Sequence, residues 1–172
     1  MRFKTSLVGW LARLAAVGLL WLPVVWVASV AAATATTGPF DGLTGMWSGS
    51  GTVTYASGTK ERLRCRVQYV QNNADNLQQA LRCAADSYKF EINAYFDHAN
   101  GKVTGIWSEI VQNVRGTLAG TAAAGRIEGD LDGPGFVAQI VVTTHGDRQE
   151  VTIEADLQEI RSVAIEVRKS AR

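Results

Sequence analysis

The sequence predicts an all-β fold, a single antiparallel up-and-down barrel of about 8–10 strands. Three observations lead there. Beyond residue 43 the chain divides into short segments of alternating apolar and polar residues. Turn chemistry separates them, at Ser57-Gly58, Asn72-Asn73, Asp86-Ser87, Asn100-Gly101, Ala124-Gly125, Gly133-Pro134-Gly135 and Gly146-Asp147. No stretch sustains a helical period, and only 155–160 has room for a single helical turn.

The chain opens with Arg2 and Lys4, then an apolar run from Leu14 to Ala33, then the small residues Ala31-Ala32-Ala33-Thr34-Ala35. A basic start, an apolar run and an A-x-A pattern describe a secretory signal peptide over 1–35. An uncleaved anchor is the alternative, because the run matches the ~20 residues that span a bilayer. Residues 36–43, with Gly38, Pro39 and Gly42, read as an extended linker, and 44–170 as the barrel domain. About 137 residues remain after the leader, enough for one core and too few for two.

In the first segment, 46–55, Trp47, Gly49, Gly51, Val53 and Tyr55 share one face, and Ser48, Ser50, Thr52 and Thr54 the other. An indole beside two residues without side chains suits a strongly bent strand or a close backbone approach. The second segment, 61–71, turns Leu63, Cys65, Val67 and Tyr69 inward and Arg62, Arg64 and Arg66 outward. The third, 77–85, follows a polar turn. Placing Cys65 opposite Cys83 sets Val67 against Leu81 and Tyr69 against Gln79, with the turn centred on Ala74. Both sulfurs then share a face, as a cross-strand disulfide requires. Two cysteines without a nearby histidine are too few ligands for a metal, so no metal site is expected.

Further strands are expected over 88–97, 102–109, 113–121, 125–131, 135–144, 148–155 and 160–168. Their inner faces include Trp107, Leu118, Ile127, Leu131, Phe136 and Ile140, with recurrent glycines at Gly116, Gly120 and Gly129. Those glycines either permit the tight coiling of a closed barrel or leave interior space. The pentapeptide TGMWS at Thr44 returns as TGIWS at Thr104. The echo marks two strands that each set a tryptophan beside a close backbone contact. Glu109 shares the inward phase of Trp107, so a buried carboxylate there needs a partner or a raised pKa, unless Trp107 sits near the barrel's end and Glu109 reaches water.

The formal charge is +1. Removing Arg2, Lys4 and Arg13 leaves 14 basic against 16 acidic side chains, about −2. A near-neutral domain gives no argument for nucleic-acid binding. The charge is unevenly placed, however. Arg62, Arg64 and Arg66 alternate along one strand, and the hairpin register sets Arg82 opposite Arg66. Like charges facing one another are mildly destabilising. The row is therefore a candidate surface for an anionic envelope or a protein partner, unless Glu61, Glu91 or other acids neutralise it.

The pattern G-x-W-x-G-x-G, at Gly45, Trp47, Gly49 and Gly51, on the first strand of such a barrel resembles the calycins. That group holds lipocalins, fatty-acid-binding proteins and avidin, and the longer motif is similar to the start of nitrobindin-type barrels. The resemblance implies a basic residue from the last strand over the tryptophan at the closed end. Arg161, in phase with Val163, Ile165 and Val167, is the candidate. Nitrobindin-type barrels hold haem through a histidine near the C-terminus. The two histidines here, His98 and His145, lie instead in the HANG and THGD turns, as solvated loop residues, so no haem or other cofactor is expected.

The functional expectation is an exported, non-catalytic barrel, periplasmic or secreted, that binds a small apolar ligand such as a lipid or isoprenoid. Its lining would comprise Trp47, Gly49, Gly51, Tyr55, Tyr69, Leu81, Trp107, Phe136, Ile140 and Arg161. The alternative is an envelope interaction protein with a filled barrel, acting through Arg62, Arg64, Arg66 and Arg82. Neither a G-x-S-x-G motif nor a phosphate-cradling loop is present to suggest an enzyme.

Overall fold

The computed structural model describes residues 38–123, 125–155 and 159–171. The leader expected over 1–35 lies outside them, as do residues 156–158 of the helical turn expected over 155–160. Ten strands follow one another: β1 (Gly45–Tyr55), β2 (Lys60–Asn73), β3 (Asn76–Ala84), β4 (Lys89–Ala99), β5 (Lys102–Glu109), β6 (Val114–Ala123), β7 (Arg126–Gly133), β8 (Phe136–His145), β9 (Arg148–Ala155) and β10 (Ile160–Lys169). Each pairs antiparallel with its sequence neighbour, and β10 returns to β1, closing the barrel. No helix occurs among the described residues.

The β2–β3 hairpin follows the alternation. Cys65 faces Cys83 and is bonded to it, Val67 faces Leu81, and Tyr69 faces Gln79. One detail differs from the expected symmetric turn. Asn72 is an extra residue, so Asn73 pairs with Asn76 and the turn falls on Ala74-Asp75. The Asn73 side chain accepts the Asp75 amide at 2.9 Å, which fixes the turn.

The glycines serve mainly the coiling of the sheet. A Cβ at Gly49 would overlap the Glu166 carbonyl, so β1 and β10 approach too closely there for any side chain. At Gly116 the added carbon would strike both the Asp132 carbonyl and the Trp107 ring. The space freed there is filled by an aromatic ring lying along the inner wall.

Up-and-down connectivity gives the barrel two ends. Trp47, the 74–75, 100–101 and 146–147 connections and the entering chain mark one end. Tyr55 and the 56–59, 85–88, 110–113 and 134–135 connections mark the other. The Trp47 end is closed. Residues 38–43 are not the extended linker that their glycines and proline suggest. The Asp41 amide donates to the Gly38 carbonyl at 3.2 Å and the Leu43 amide to the Phe40 carbonyl at 3.1 Å. The folded segment places Phe40 and Leu43, 0 and 3 % exposed, in the core with Trp47. Apolar burial overrides the turn-rich composition, because two large side chains gain more from entering the core than from water.

Candidate functional site

Around Trp47 every polar group is satisfied. Its indole N–H donates to the Leu43 carbonyl at 2.7 Å. Tyr69 meets the indole edge-on, with ring centroids 6.3 Å apart. The Tyr69 hydroxyl donates to Gln149 Oε1 at 2.6 Å, and Gln149 Nε2 donates to Thr144 Oγ1 at 3.0 Å. Burial pushes the Tyr69 phenol well above its ordinary range, so it stays a neutral donor. This end is packed and internally bonded, with no side chain left to meet a ligand.

The inner wall near the Tyr55 end is different. Tyr55, Leu81, Phe90, Trp107, Phe136 and Ile140 point inward yet remain only partly buried. Trp107 and Phe136 lean on each other at 6.0 Å, and Tyr88 stacks on Phe90 at 6.1 Å. Trp107 Nε1 donates to the Thr117 carbonyl at 3.1 Å, which holds the indole along the wall. Partial burial pushes the Tyr88 phenol up to about 12. The result is an aromatic, apolar surface at an accessible end, the usual character of a small-molecule site.

Two carboxylates stand at this rim. Glu61 accepts the Tyr55 hydroxyl at 2.8 Å, the Ser87 hydroxyl at 2.6 Å and the Ser87 amide at 2.8 Å. These bonds, the Ser87 hydroxyl first, hold its carboxyl below the usual range, and the same carboxylate raises the Tyr55 phenol. Glu109 accepts the amides of Glu91 at 2.9 Å, Val111 at 3.1 Å and Gln112. Desolvation alone would raise Glu109, but the three backbone donors outweigh it and lower its pKa. Each carboxylate accepts three hydrogen bonds from its own chain and ties a loop to a strand. Among the described residues no cluster of three metal-ligating side chains forms.

The residues singled out from sequence therefore separate. Trp47 and Tyr69 are core at the closed end, while Gly49 and Gly51 lie against the β10 backbone. Tyr55, Leu81 and Ile140 are partly buried against the core cluster, and Trp107 and Phe136, also partly buried, lean on each other. Arg161 does not cover Trp47. Thr54 faces Ser162 whereas Tyr55 faces Ile160, so Arg161 is the extra residue of a bulge, and it lies exposed at the Tyr55 end. Lys169 occupies the expected position instead, its ammonium 5.8 Å from the Trp47 ring centroid. His98 is likewise not a solvated turn residue. It lies on β4, edge-on to Phe40 at 6.4 Å, with Nδ1 3.1 Å from Asp75 Oδ1. Sequence reasoning missed Phe40, Leu43, Gln149 and Lys169. The Val163-Ile165-Val167-Lys169 alternation carried a signal for the last of these.

On the outer face, Arg62, Arg64, Arg66 and Arg82 are all exposed. Arg82 meets Glu91 at 3.3 Å and Arg64 meets Asp86 at 3.7 Å. Arg62 and Arg66 have no acidic partner among the described residues. Arg64, Arg66, Arg82 and Lys89 line a concavity of about 650 Å³ together with Ser48 and Ala84.

No protein-family model matches the sequence, and no curated protein does. Among solved structures the chain is similar to Rv2717c from M. tuberculosis, with a TM-score of 0.63 and 13% identity, covering 77% of this chain and 95% of that one. It is also similar to the S-type phycobiliprotein lyase CPES from Guillardia theta, with a TM-score of 0.56 and 10% identity, covering 77% and 91%. At these identities the likeness bears on the fold alone, a closed antiparallel barrel.

Proposed function

We propose that this chain is an exported, non-catalytic barrel that binds a small apolar ligand, such as a lipid or isoprenoid, through its Tyr55 end. One observation carries the reading: Trp47, Val67 and Tyr69 are fully buried, whereas the large inward side chains Trp107, Phe136 and Ile140 are only partly buried. A ten-stranded barrel has an interior of the size that can hold one ligand. A ligand there would cover apolar side chains that are now only partly buried, and each buried methylene would contribute about 0.8 kcal/mol. The two rim carboxylates are consumed by structural hydrogen bonds, which argues for binding over catalysis. Export rests on the leader over 1–35, or on its retention as an anchor, and the Cys65–Cys83 disulfide is consistent with an oxidising compartment such as a periplasm.

A second reading has its own observation. The concavity over Arg64, Arg66 and Arg82 is strongly basic, which suits an envelope partner contacted from outside the barrel. Native mass spectrometry of the protein purified gently from its host, paired with lipid extraction, separates the two. An apolar molecule near one per chain supports the first reading and names the ligand class. A clean apo mass, with no uptake of fluorescent fatty acids, sinks it and leaves the arginine surface as the working one.

A further inference from the structure

The outer face carries its charge unevenly. Outward positions of β2, β3 and the start of β4 hold Lys60, Arg62, Arg64, Arg66, Arg82 and Lys89, against Glu91 and the neighbouring Asp86. On the other side, the outward row of β7 ends in Glu128, Asp130 and Asp132.

Strand register organises the basic side further. Arg168, Ser48, Arg66 and Arg82 stand side by side across β10, β1, β2 and β3. Small side chains, Ser48 and Ala84, floor the concavity, and the guanidinium groups flank it. Arg66 opposite Arg82 is a mild cost to the folded barrel, offset in part by the Arg82–Glu91 pair at 3.3 Å. The row then continues to Glu91, whose carbonyl accepts the Ile110 amide at 2.8 Å. Ile110 and Val111 are 52 and 45% exposed, at the tip of a turn that Glu109 fixes by accepting the Val111 and Gln112 amides. From Arg66 to Ile110 is three strand spacings, roughly 15 Å. A cation row thus ends in a rigid apolar lip beside the accessible end of the barrel.

We propose that this face docks the Tyr55 end on an anionic phospholipid bilayer. Ile110 and Val111 enter the interfacial region while the arginine row meets headgroup phosphates. The combination selects a bilayer over a soluble polyanion, because a bilayer presents a continuous field of phosphates with an apolar layer directly beneath it. The inference rests on the apolar-ligand reading and supplies its route, since a barrel seated this way receives or delivers its cargo without passing it through water.

The test uses the protein as it matures in its host, mixed with phosphatidylglycerol–phosphatidylcholine vesicles or with phosphatidylcholine alone. Partition should be at least about tenfold stronger on the anionic vesicles and should fall in high salt. Arg64→Glu with Arg66→Glu should lower it by about tenfold or more. Ile110→Ser with Val111→Ser should lower it several-fold, with both double variants melting like the parent. Amides of 110–113 should gain hydrogen-exchange protection on vesicles. Unchanged binding in both double variants would mean that any membrane attachment lies elsewhere, and it overturns the proposal. Equal binding to soluble heparin, or displacement by millimolar inorganic phosphate, overturns it too, in favour of a plain anion site. Co-purifying ligand is measured in the same samples. Lost docking with ligand retained sinks only this inference, whereas intact docking on an empty barrel sinks only the ligand reading.

Discussion

Lys169 spans the closed end of the barrel from the last strand to the first: its ammonium donates to the Gly42 carbonyl at 2.7 Å while lying 5.8 Å from the Trp47 ring centroid. One side chain thereby ties the folded entry segment to the indole it covers. Lys169→Met keeps the aliphatic stem but removes the charge and the hydrogen bond. It should cost ~1–2 kcal/mol in urea denaturation. Arg161→Ala, on the exposed bulge, should cost ~0.5 kcal/mol or less. Equal losses would show that the closed end does not depend on the lysine.

The Cys65–Cys83 bridge joins two neighbouring strands across a separation of 18 residues. It constrains the unfolded chain more than it alters the folded one. Reduction should therefore lower stability by ~2–4 kcal/mol, and identical melting temperatures with and without reductant would remove the bridge from the account.

Titration sets two pH limits. Glu61 and Glu109 both have folded pKa values below 4.5, held down by hydrogen bonds. Their stabilising effect is complete above about pH 4.5 and is lost as pH falls through the lower folded values. Tyr88 runs the other way, its phenol raised to about 12 from 10.0, and Tyr69 is raised as well. The stability they contribute is present below pH 10 and disappears as pH rises through the folded values. Thermal melts across pH should thus fall at both extremes, with Glu109→Gln flattening the acid limb. Tyrosinate absorbance should lag behind that of the unfolded chain. An acid limb identical in Glu109→Gln would remove that carboxylate as its cause.

Most of the barrel was legible in the sequence because its information is local. Alternation fixes which face of a strand is wet, and Asn, Asp and Gly mark where strands end. The ten strands and the cysteine register follow from those two signals. Arg161 and Lys169 show where such reasoning stops. Simple alternation carries both into the inward phase, and only a bulge between Thr54 and Tyr55, a property of the paired strands together, turns Arg161 outward. Phe40 and Leu43 failed for a related reason. Gly38, Pro39 and Gly42 advertise a linker, and burial across the barrel end is decided by residues far away in sequence. The site itself divided along the same line. Phase placed Trp47 and Trp107 equally inward, but not at which end each would sit.

That division gives the sharpest test. Trp47 is 0% exposed and locked by its bond to Leu43, so Trp47→Ala should cost ~3–5 kcal/mol, the usual loss for an aromatic core truncation. Trp107 is only partly buried, along a wall open to one side, and Trp107→Ala should cost ~2 kcal/mol or less. Ligand occupancy should rank them the other way. Truncating Trp107 removes accessible wall and loosens Phe136, which leans on it, so bound apolar molecule should fall several-fold. A conservative second change, Phe136→Leu, should shift ligand preference while leaving melting nearly unchanged. The measurement is paired: urea denaturation for stability, and native mass spectrometry for occupancy, on the same preparations. If Trp107→Ala melts early and still carries its ligand, the accessible end is structural and the binding surface lies elsewhere.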